Sequence, residues 1–340
     1  MSARERIIPV FVPHVGCPNN CVFCNQRKIS GQIKPAGPED VIEAVENAKS
    51  ILPAGTRIQL AFYGGSFTAI PADDQTALLS AAYRYIEDGF LDSIRLSTRP
   101  DAIDRSTLER LWSFGVRTIE LGAQSLDREV LLRSGRGHTA DDVFRAAELV
   151  KEYGFRLIIQ IMTGLPGDTP EKDMKTALDV CRIAPYGVRI YPTVIIRDTP
   201  LYELWKAGKY KEHTVEDAVE VCSRIVPVFE KNGIEIIRMG LNPTDDLSSG
   251  EAAGGAYHPA LGELVRSRIL YYQLHDLLHG IRPGSRVIIK GPGARLSQMI
   301  GQHRENIDRL KKDYSLCGIS IMPSEDGDIH ISYEECPICD

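Results

Sequence analysis

The sequence predicts an α/β fold: a partial parallel barrel of the (β/α)6 type, followed by a small α+β module. Three observations point to it. From Arg6 to Leu241, short apolar runs rich in β-branched residues alternate with amphipathic helical periods, the signature of βαβ units. Glycines and polar groups follow one predicted strand after another, where parallel barrels carry their reactive residues. Beyond Ile281 the order changes to β-α-α-β-β. The expected division is therefore a barrel over residues 1–241, a loop and linker helix over 242–280, and a basic module over 281–340.

Along the chain, RIIPVFVPH is a strand leading into a cysteine-bearing loop, and PEDVIEAVENAKSIL is an amphipathic helix. RIQLAFYGGS is a strand ending in glycines, and DDQTALLSAAYRYIEDG is a helix stopped by glycine. The alternation continues through SIRLSTRPD, STLERLWSFG, VRTIELGAQS, TADDVFRAAELVKEYG, FRLIIQIMTGLPGD, PEKDMKTALDVCRIA, VRIYPTVI, TVEDAVEVCSRIVPVFEKNG and IEIIRMGL. The segment LNPTDDLSSGEAAGGAYHPALG reads as a loop near the barrel mouth or a plain linker, with Tyr257 and His258 as its polar candidates. ELVRSRILYYQLHDLLHG is then a helix before the final module.

Composition sets the class. Of 340 residues, 43% are hydrophobic and 25% charged, which suits a globular core rather than disorder. No run of eighteen apolar residues occurs, and MSARERIIPVFVPH lacks a cleavage pattern, so a cytoplasmic protein with no membrane partner is expected. Eight cysteines clustered at 17/21/24 and 336/339 fit metal binding in a reducing compartment better than a disulfide framework. The net charge is −6, but residues 281–312 carry eight Lys/Arg against Glu305 and Asp308, a local +6 that leaves −12 elsewhere. A basic end on an acidic body points to a polyanion, with a solvated helix face as the plain alternative.

Cys17, Cys21 and Cys24 have the spacing C-x3-C-x2-C. Structural zinc takes four ligands, usually as two pairs, and His14 or the Cys336/Cys339 pair are the residues that would complete such a site. A [4Fe–4S] cluster on three cysteines instead leaves one iron open to a small molecule.

That loop, with Phe23 before the third cysteine and a strand ahead of it, resembles the radical S-adenosylmethionine (SAM) superfamily. STRPD, ELGAQS, SGRGHT, GLPGDT and YPTVIIRDTPLYELWKAGKY together resemble the radical SAM domain of the Elongator catalytic subunit over Arg6 to Leu241. They are more distantly similar to oxygen-independent coproporphyrinogen oxidase. The resemblance implies that Cys17, Cys21 and Cys24 hold a [4Fe–4S] cluster whose open iron takes SAM. It further implies that one electron, from a donor such as flavodoxin or ferredoxin, yields a 5′-deoxyadenosyl radical. By matched position, Gly64, Gly65 and Ser66 would meet the methionyl amine, Gln124 and Arg136 would contact SAM, and Gln160 would lie near the nucleoside. RGHT also reads as a helix start capped by Thr139, in which Arg136 and His138 would be structural.

Two departures qualify the likeness. Ser97 opens the Ser-Thr-Arg-Pro-Asp string where the family reads Glu, which removes a carboxylate expected near the ribose. The roughly 100 residues after Leu241 are too few for an acetyltransferase domain beside the module already there, so acetyl-CoA chemistry is not carried over. That module resembles a KH domain, whose GXXG loop clamps a nucleic-acid backbone. Here the loop reads Gly301-Gln302-His303-Arg304, without the second glycine. Lys290, Arg295, Gly301, His303, Arg304, Lys311 and Lys312 are the RNA-binding candidates, and a KH fold used only for packing is the alternative.

Tyr191, Arg189 and Arg197 follow or end the sixth strand and are candidates on the substrate side, with Tyr191 alternatively a cap on the barrel. Cys336 and Cys339 suit a zinc site with Cys317 or a neighbouring chain, a redox dithiol, a hydrogen donor or a second cluster, while Cys181 and Cys222 read as core. The expectation is an RNA-modifying radical SAM enzyme with a tRNA uridine favoured. Its rivals are a radical enzyme acting on a tetrapyrrole or acyl thioester, and a non-catalytic RNA-binding protein with a metal site.

Overall fold

The computed structural model describes residues 5–12, 21–24, 36–53, 55–241 and 250–335. The chain divides into two compact units, Met1–Thr214 with Val228–Tyr257, and Val215–Pro227 with His258–Asp340.

In chain order the first unit contains β1 (Arg6–Val12), α1 (Pro38–Ile51), β2 (Ile58–Gly64), α2 (Ala72–Glu87), β3 (Ser93–Thr98), α3 (Arg105–Ser113) and β4 (Val116–Gln124). It continues through α4 (Arg128–Arg133), α5 (Ala140–Glu152), β5 (Arg156–Thr163), α6 (Pro170–Ile183), β6 (Gly187–Pro192), β7 (Val194–Ile196) and α7 (Pro200–Lys206). Helix α8 (Val215–Lys231) follows, its first turns through Pro227 belonging to the second unit, and strand β8 (Glu235–Met239) returns the chain to the first. Seven strands form one sheet in the order β1-β2-β3-β4-β5-β6-β8, every pair parallel, because each strand returns through a helical crossover.

Helices start where the sequence supplies side-chain acceptors. Asp104, Thr139, Thr169 and Thr199 accept the amides of Thr107, Asp142, Lys172 and Tyr202, each cap contributing about 1 kcal/mol. Thr139 and Asp142 form a reciprocal capping box. On α5, Val143, Ala146, Ala147 and Val150 recur at helical spacing and are buried over β4 and β5.

The strands are covered on their outer side, so Ile119, Leu121, Ala123, Ile159, Ile161, Val188 and Ile190 pack against helices and are essentially fully buried. Alternation then turns Ser97, Glu120, Gly122, Gln124, Gln160, Met162, Arg189 and Tyr191 to the concave side.

The glycine-rich segment expected as a loop departs from that reading. Residues 242–249 lie outside the described residues, but β9 (Ala252–Gly255) pairs antiparallel with β7, and Glu212 accepts the Gly255 amide at 2.7 Å. Alanine and glycine carry no alternation to read, so the pairing is specified by tertiary partners rather than by local pattern.

The second unit holds α9 (Leu261–Leu277), β10 (Ser285–Gly291), α10 (Leu296–Ile300), α11 (Glu305–Asp313), β11 (Gly318–Pro323) and β12 (His330–Glu335). Its sheet runs β11-β10-β12, with β10 parallel to β11 and antiparallel to β12. Leu270, Leu274 and Leu278 join Val287, Ile289, Met299, Leu310 and Leu316 in one core, so the expected linker helix is an integral part of this unit. Buried Arg268 is bonded by Glu216 at 2.9 Å and Glu220 at 3.1 Å, which ties the first turns of α8 to α9. Among the described residues no helix is long and apolar enough to cross a membrane.

Asp168 and Asp173 sit around the start of α6, and burial raises both carboxyls above the ordinary 3.8, with the charge of Asp168 adding to the shift at Asp173. The folded state therefore holds more protons than the unfolded chain once the pH exceeds that ordinary value, and stability falls as pH rises. We expect the thermal midpoint to drop between about pH 5 and about pH 8, and Asp173→Asn to flatten that slope. Differential scanning fluorimetry across the pH range checks both.

Candidate active site

The C-terminal ends of the strands surround a cavity of about 360 Å³. Cys21 and Cys24 face it from the loop after β1, Cys21 buried and Cys24 half-buried; Cys17 lies outside the described residues. The loop is held by backbone bonds, Val22 N–H donating to Ser134 at 3.1 Å and Leu201 N–H to Val22 at 2.8 Å. Val22 and Phe23 pack on Ile195, Leu201 and Tyr210.

Around the same cavity stand Gly64, Gly65 and Ser66. Ser66 Oγ lies 2.9 Å from Thr98 Oγ1 and accepts the Arg99 amide at 3.1 Å, which locks the glycine edge to the end of β3. Arg99 is in turn held by Asp101 at 2.6 Å. Arg136 reaches Cys21 Sγ with Nη1 at 3.4 Å and donates from Nη2 to the Gly122 carbonyl. Any side chain at position 122 would meet Gln124 Nε2 at 3.0 Å and Arg136 Nη2 at 3.4 Å, so glycine keeps this cradle open. Gln124 adopts a left-handed φ of 66° at a register shift in β4, which turns its amide into the cavity.

Of the predicted cofactor residues, Gly64, Gly65, Ser66, Ser97, Gln124, Arg136 and Gln160 all line this cavity. So do Arg189 and Tyr191. Arg197, Tyr257 and His258 are not among the lining residues. Arg197 donates to the Gly250 carbonyl at 2.9 Å, Tyr257 packs behind Val194, Ile196 and Leu241, and His258 Nδ1 accepts the Ala260 amide at 3.1 Å. His138 is also outside the lining: burial and then neighbouring Arg136 push it down to about 4, and the neutral ring bonds the Ala123 carbonyl at 3.1 Å. Cys222 is buried as expected, whereas Cys181 is only half-buried; Cys336, Cys339 and His14 fall outside the described residues.

Three residues that sequence reasoning passed over, Glu120, Tyr63 and Arg238, line the cavity beside the predicted Arg189. Glu120 is wholly buried and accepts bonds from Tyr63 at 3.2 Å, Arg95 at 3.2 Å, Gln160 at 2.8 Å and Arg189 at 3.1 Å, with Arg189 Nε 2.9 Å from its other oxygen. Burial, with the Glu120 charge adding, pushes the Tyr63 hydroxyl up to about 12. Burial alone would lower Arg189, but Glu120 outweighs it and holds the guanidinium above its ordinary value. Arg238 on β8, the register partner of Arg189, also lines the cavity and is lowered by burial and by the Arg189 charge. For Glu120 and Arg238 the available signal was a lone charge within an apolar parallel strand, as in TIELGA and EIIRM.

The donor set fits an iron–sulfur cluster. Two thiols of one loop face a water-sized cavity edge beside Gly64-Gly65-Ser66, and the Arg136 guanidinium at Cys21 Sγ would offset thiolate charge. This barrel and loop define the class: residues 11–180 match the radical SAM superfamily and residues 185–270 the Radical_SAM C-terminal domain. The chain belongs to the radical SAM superfamily, enzymes that use a [4Fe–4S] cluster and SAM.

Within that class it is similar to human Elongator complex protein 3, 29% identical over 269 residues, which cover 70% of this chain and 49% of that protein. It is also similar to the tRNA uridine(34) acetyltransferase of Dehalococcoides mccartyi, 28% identical over 264 residues, 65% of this chain and 56% of that one. The chain thus spans about half the length of these relatives. The solved structure of Methanocaldococcus infernus Elp3 with an N-terminal deletion shares the fold, with a TM-score of 0.62 at 21% identity, covering 84% of this chain and 71% of that one.

Replacing Glu120 by Gln leaves buried Arg189 without its counter-ion and Arg95 with Glu5 alone, at 3.4 Å. We expect a loss of about 3–5 kcal/mol, read as a lower urea midpoint. A variant as stable as the parent would show that the two guanidinium groups find other partners.

Proposed function

We propose that this enzyme modifies RNA, with a tRNA uridine as its target, and that the second unit holds the RNA. The carrying observation is the convergence of Cys21, Cys24, the Gly64-Gly65-Ser66 edge and Arg136 on one cavity, in a chain whose relatives include enzymes named for tRNA uridine(34). When bound, the cluster supplies one-electron cleavage of SAM to a 5′-deoxyadenosyl radical.

In this reading Cys17, Cys21 and Cys24 hold the cluster. The carbonyls of the Gly64-Gly65 edge take the methionyl ammonium; the Gly65 amide, donating to Val12 at 2.8 Å, is not needed for it. Arg136 takes the carboxylate through a charge-assisted bond, and Gln124 adds an amide. Ser97 is the register partner of Glu120, but Glu120 is wholly buried and already accepts from Tyr63, Arg95, Gln160 and Arg189, so it is a poor replacement for the missing ribose carboxylate. Gln160 takes that role: its Nε2 is fixed on Glu120, which leaves Oε1 to accept a ribose hydroxyl proton. Tyr191 and Arg189 face the substrate, and a flavodoxin or ferredoxin supplies the electron in the cytoplasm. Base chemistry requires an unstacked nucleotide, which a loop provides most readily.

The RNA-holding part of the proposal rests on the turn Gly301–Arg304. His303 and Arg304 are exposed and both left-handed, at φ 51° and 67°. Lys290, Lys311 and Lys312 are exposed and Arg295 half-buried, while Glu305 and Asp308 share the depression beside the turn with His303, Arg309 and Lys312. An arginine held where glycine is favoured carries about 1–2 kcal/mol of backbone strain. Arg304→Gly is therefore expected to stabilise the protein by about 1 kcal/mol while lowering the slope of RNA affinity against salt by about one ion. Denaturation and filter binding across salt concentrations measure the two effects.

The direct test is anaerobic reconstitution, reduction with SAM and quantification of 5′-deoxyadenosine with and without tRNA. We expect formation that rises with tRNA and disappears in the combined Cys17→Ala, Cys21→Ala, Cys24→Ala variant. Cleavage indifferent to RNA would favour a small-molecule substrate, and an intact cluster without cleavage would end the radical reading.

A further inference from the structure

We infer that Arg238, beside Arg189, binds a phosphate of the substrate RNA strand at the β6–β8 end of the cavity. This rests on the RNA reading above and deepens it.

The two arginines are register partners on neighbouring parallel strands and both line the cavity. Arg189 has its counter-ion in Glu120. The other cationic lining groups are also engaged, Arg99 by Asp101 and Arg136 at Cys21 and Gly122. Arg238 donates from Nε to the Gly240 carbonyl at 3.1 Å, and among the described residues it has no carboxylate partner. Burial and the adjacent Arg189 charge both work against its ionisation. A half-buried guanidinium kept next to a like charge is stabilised by an incoming anion, and its planar fork matches the oxygens of a phosphate.

The surrounding wall supports a nucleotide rather than an isolated ion. Tyr191, which accepts from Arg189 at 3.2 Å, keeps its own O–H for an oxyanion, and Val194, Ile196 and Leu241 offer an apolar face to a base or sugar. The SAM carboxylate is a less suitable occupant, because Arg136 already stands at Cys21 Sγ while β8 is the far edge of the sheet from β1.

The test pairs wild type, Arg238→Ala and Arg238→Lys with two RNA probes. One is a uridine-containing stem-loop, and the other is the same stem-loop with neutral methylphosphonates flanking the uridine. Anisotropy at fixed salt reads RNA affinity, and equilibrium dialysis reads SAM affinity. Arg238→Ala is expected to weaken the phosphodiester RNA about tenfold to a hundredfold with SAM affinity unchanged. The methylphosphonates should weaken wild type by a similar factor and the Ala variant hardly further. Arg238→Lys keeps a point charge and should recover part of the loss. The cycle with Lys decides the matter if the Ala variant does not fold.

Equal affinity of wild type and variants for the phosphodiester RNA would remove the subsite while leaving the RNA reading in place. Independent losses from variant and methylphosphonate, or a loss confined to SAM, would also overturn it. Failure of wild type to bind RNA at all would overturn the reading and the subsite together.

Discussion

One wholly buried carboxylate organises the barrel. Glu120 on β4 receives Tyr63 from β2, Arg95 from β3, Gln160 from β5 and Arg189 from β6, so five adjacent strands meet at a single pair of oxygens. Burying one carboxylate and two guanidinium groups is unfavourable unless they are paired, and here Glu120 accepts four side-chain hydrogen bonds, while Arg189 Nε stands 2.9 Å from its second oxygen as an ion pair without hydrogen-bond geometry. Its consequence is geometric. Side chains of five strands are tied together on the concave face, which adds to the register already set by the backbone ladders and the buried outer face.

The same bonding decides what the neighbours are free to do. Because Glu120 is wholly buried and already accepts four side-chain hydrogen bonds, the groups it orients are the ones presented to a ligand. Gln160 is held by its nitrogen and presents its oxygen; Arg189 is held on one side and shares Tyr191 on the other. Arg238, one strand further, has no carboxylate partner among the described residues.

The alternation of strands and helices, the cysteine loop, the glycine edge, Gln124, Arg136 and Gln160 were legible because each leaves a local mark: period, spacing or a motif string. Glu120, Tyr63 and Arg238 were not, because their importance comes from strands 20 to 70 positions apart in sequence meeting inside the sheet. Strand β9 was missed for a different reason: Ala252–Gly255 has no side-chain pattern, and only β7 and Glu212 give it a partner. Tyr257 and Arg197, polar residues near the mouth in sequence, are engaged elsewhere in space, Tyr257 against Val194 and Ile196 and Arg197 at the Gly250 carbonyl.

The cavity is electrically uneven, and this bears on how two ligands share it. A cluster held by the cysteine loop would make one side negative, with Arg136 as the local offset, while Arg189 and Arg238 line the β6–β8 side and only Arg189 is paired with Glu120. A sulfonium cation is drawn to the first side and repelled from the second; a phosphate behaves oppositely. At a separation of about 8 Å and an effective dielectric of about 20, each such pair is worth about 2 kcal/mol, enough to reverse a preference by more than tenfold. On the proposed reading, fixed charges on the strands would favour the phosphate of a nucleic-acid substrate at the β6–β8 side, where Arg238 has no carboxylate partner among the described residues, and leave the cofactor to the cysteine side.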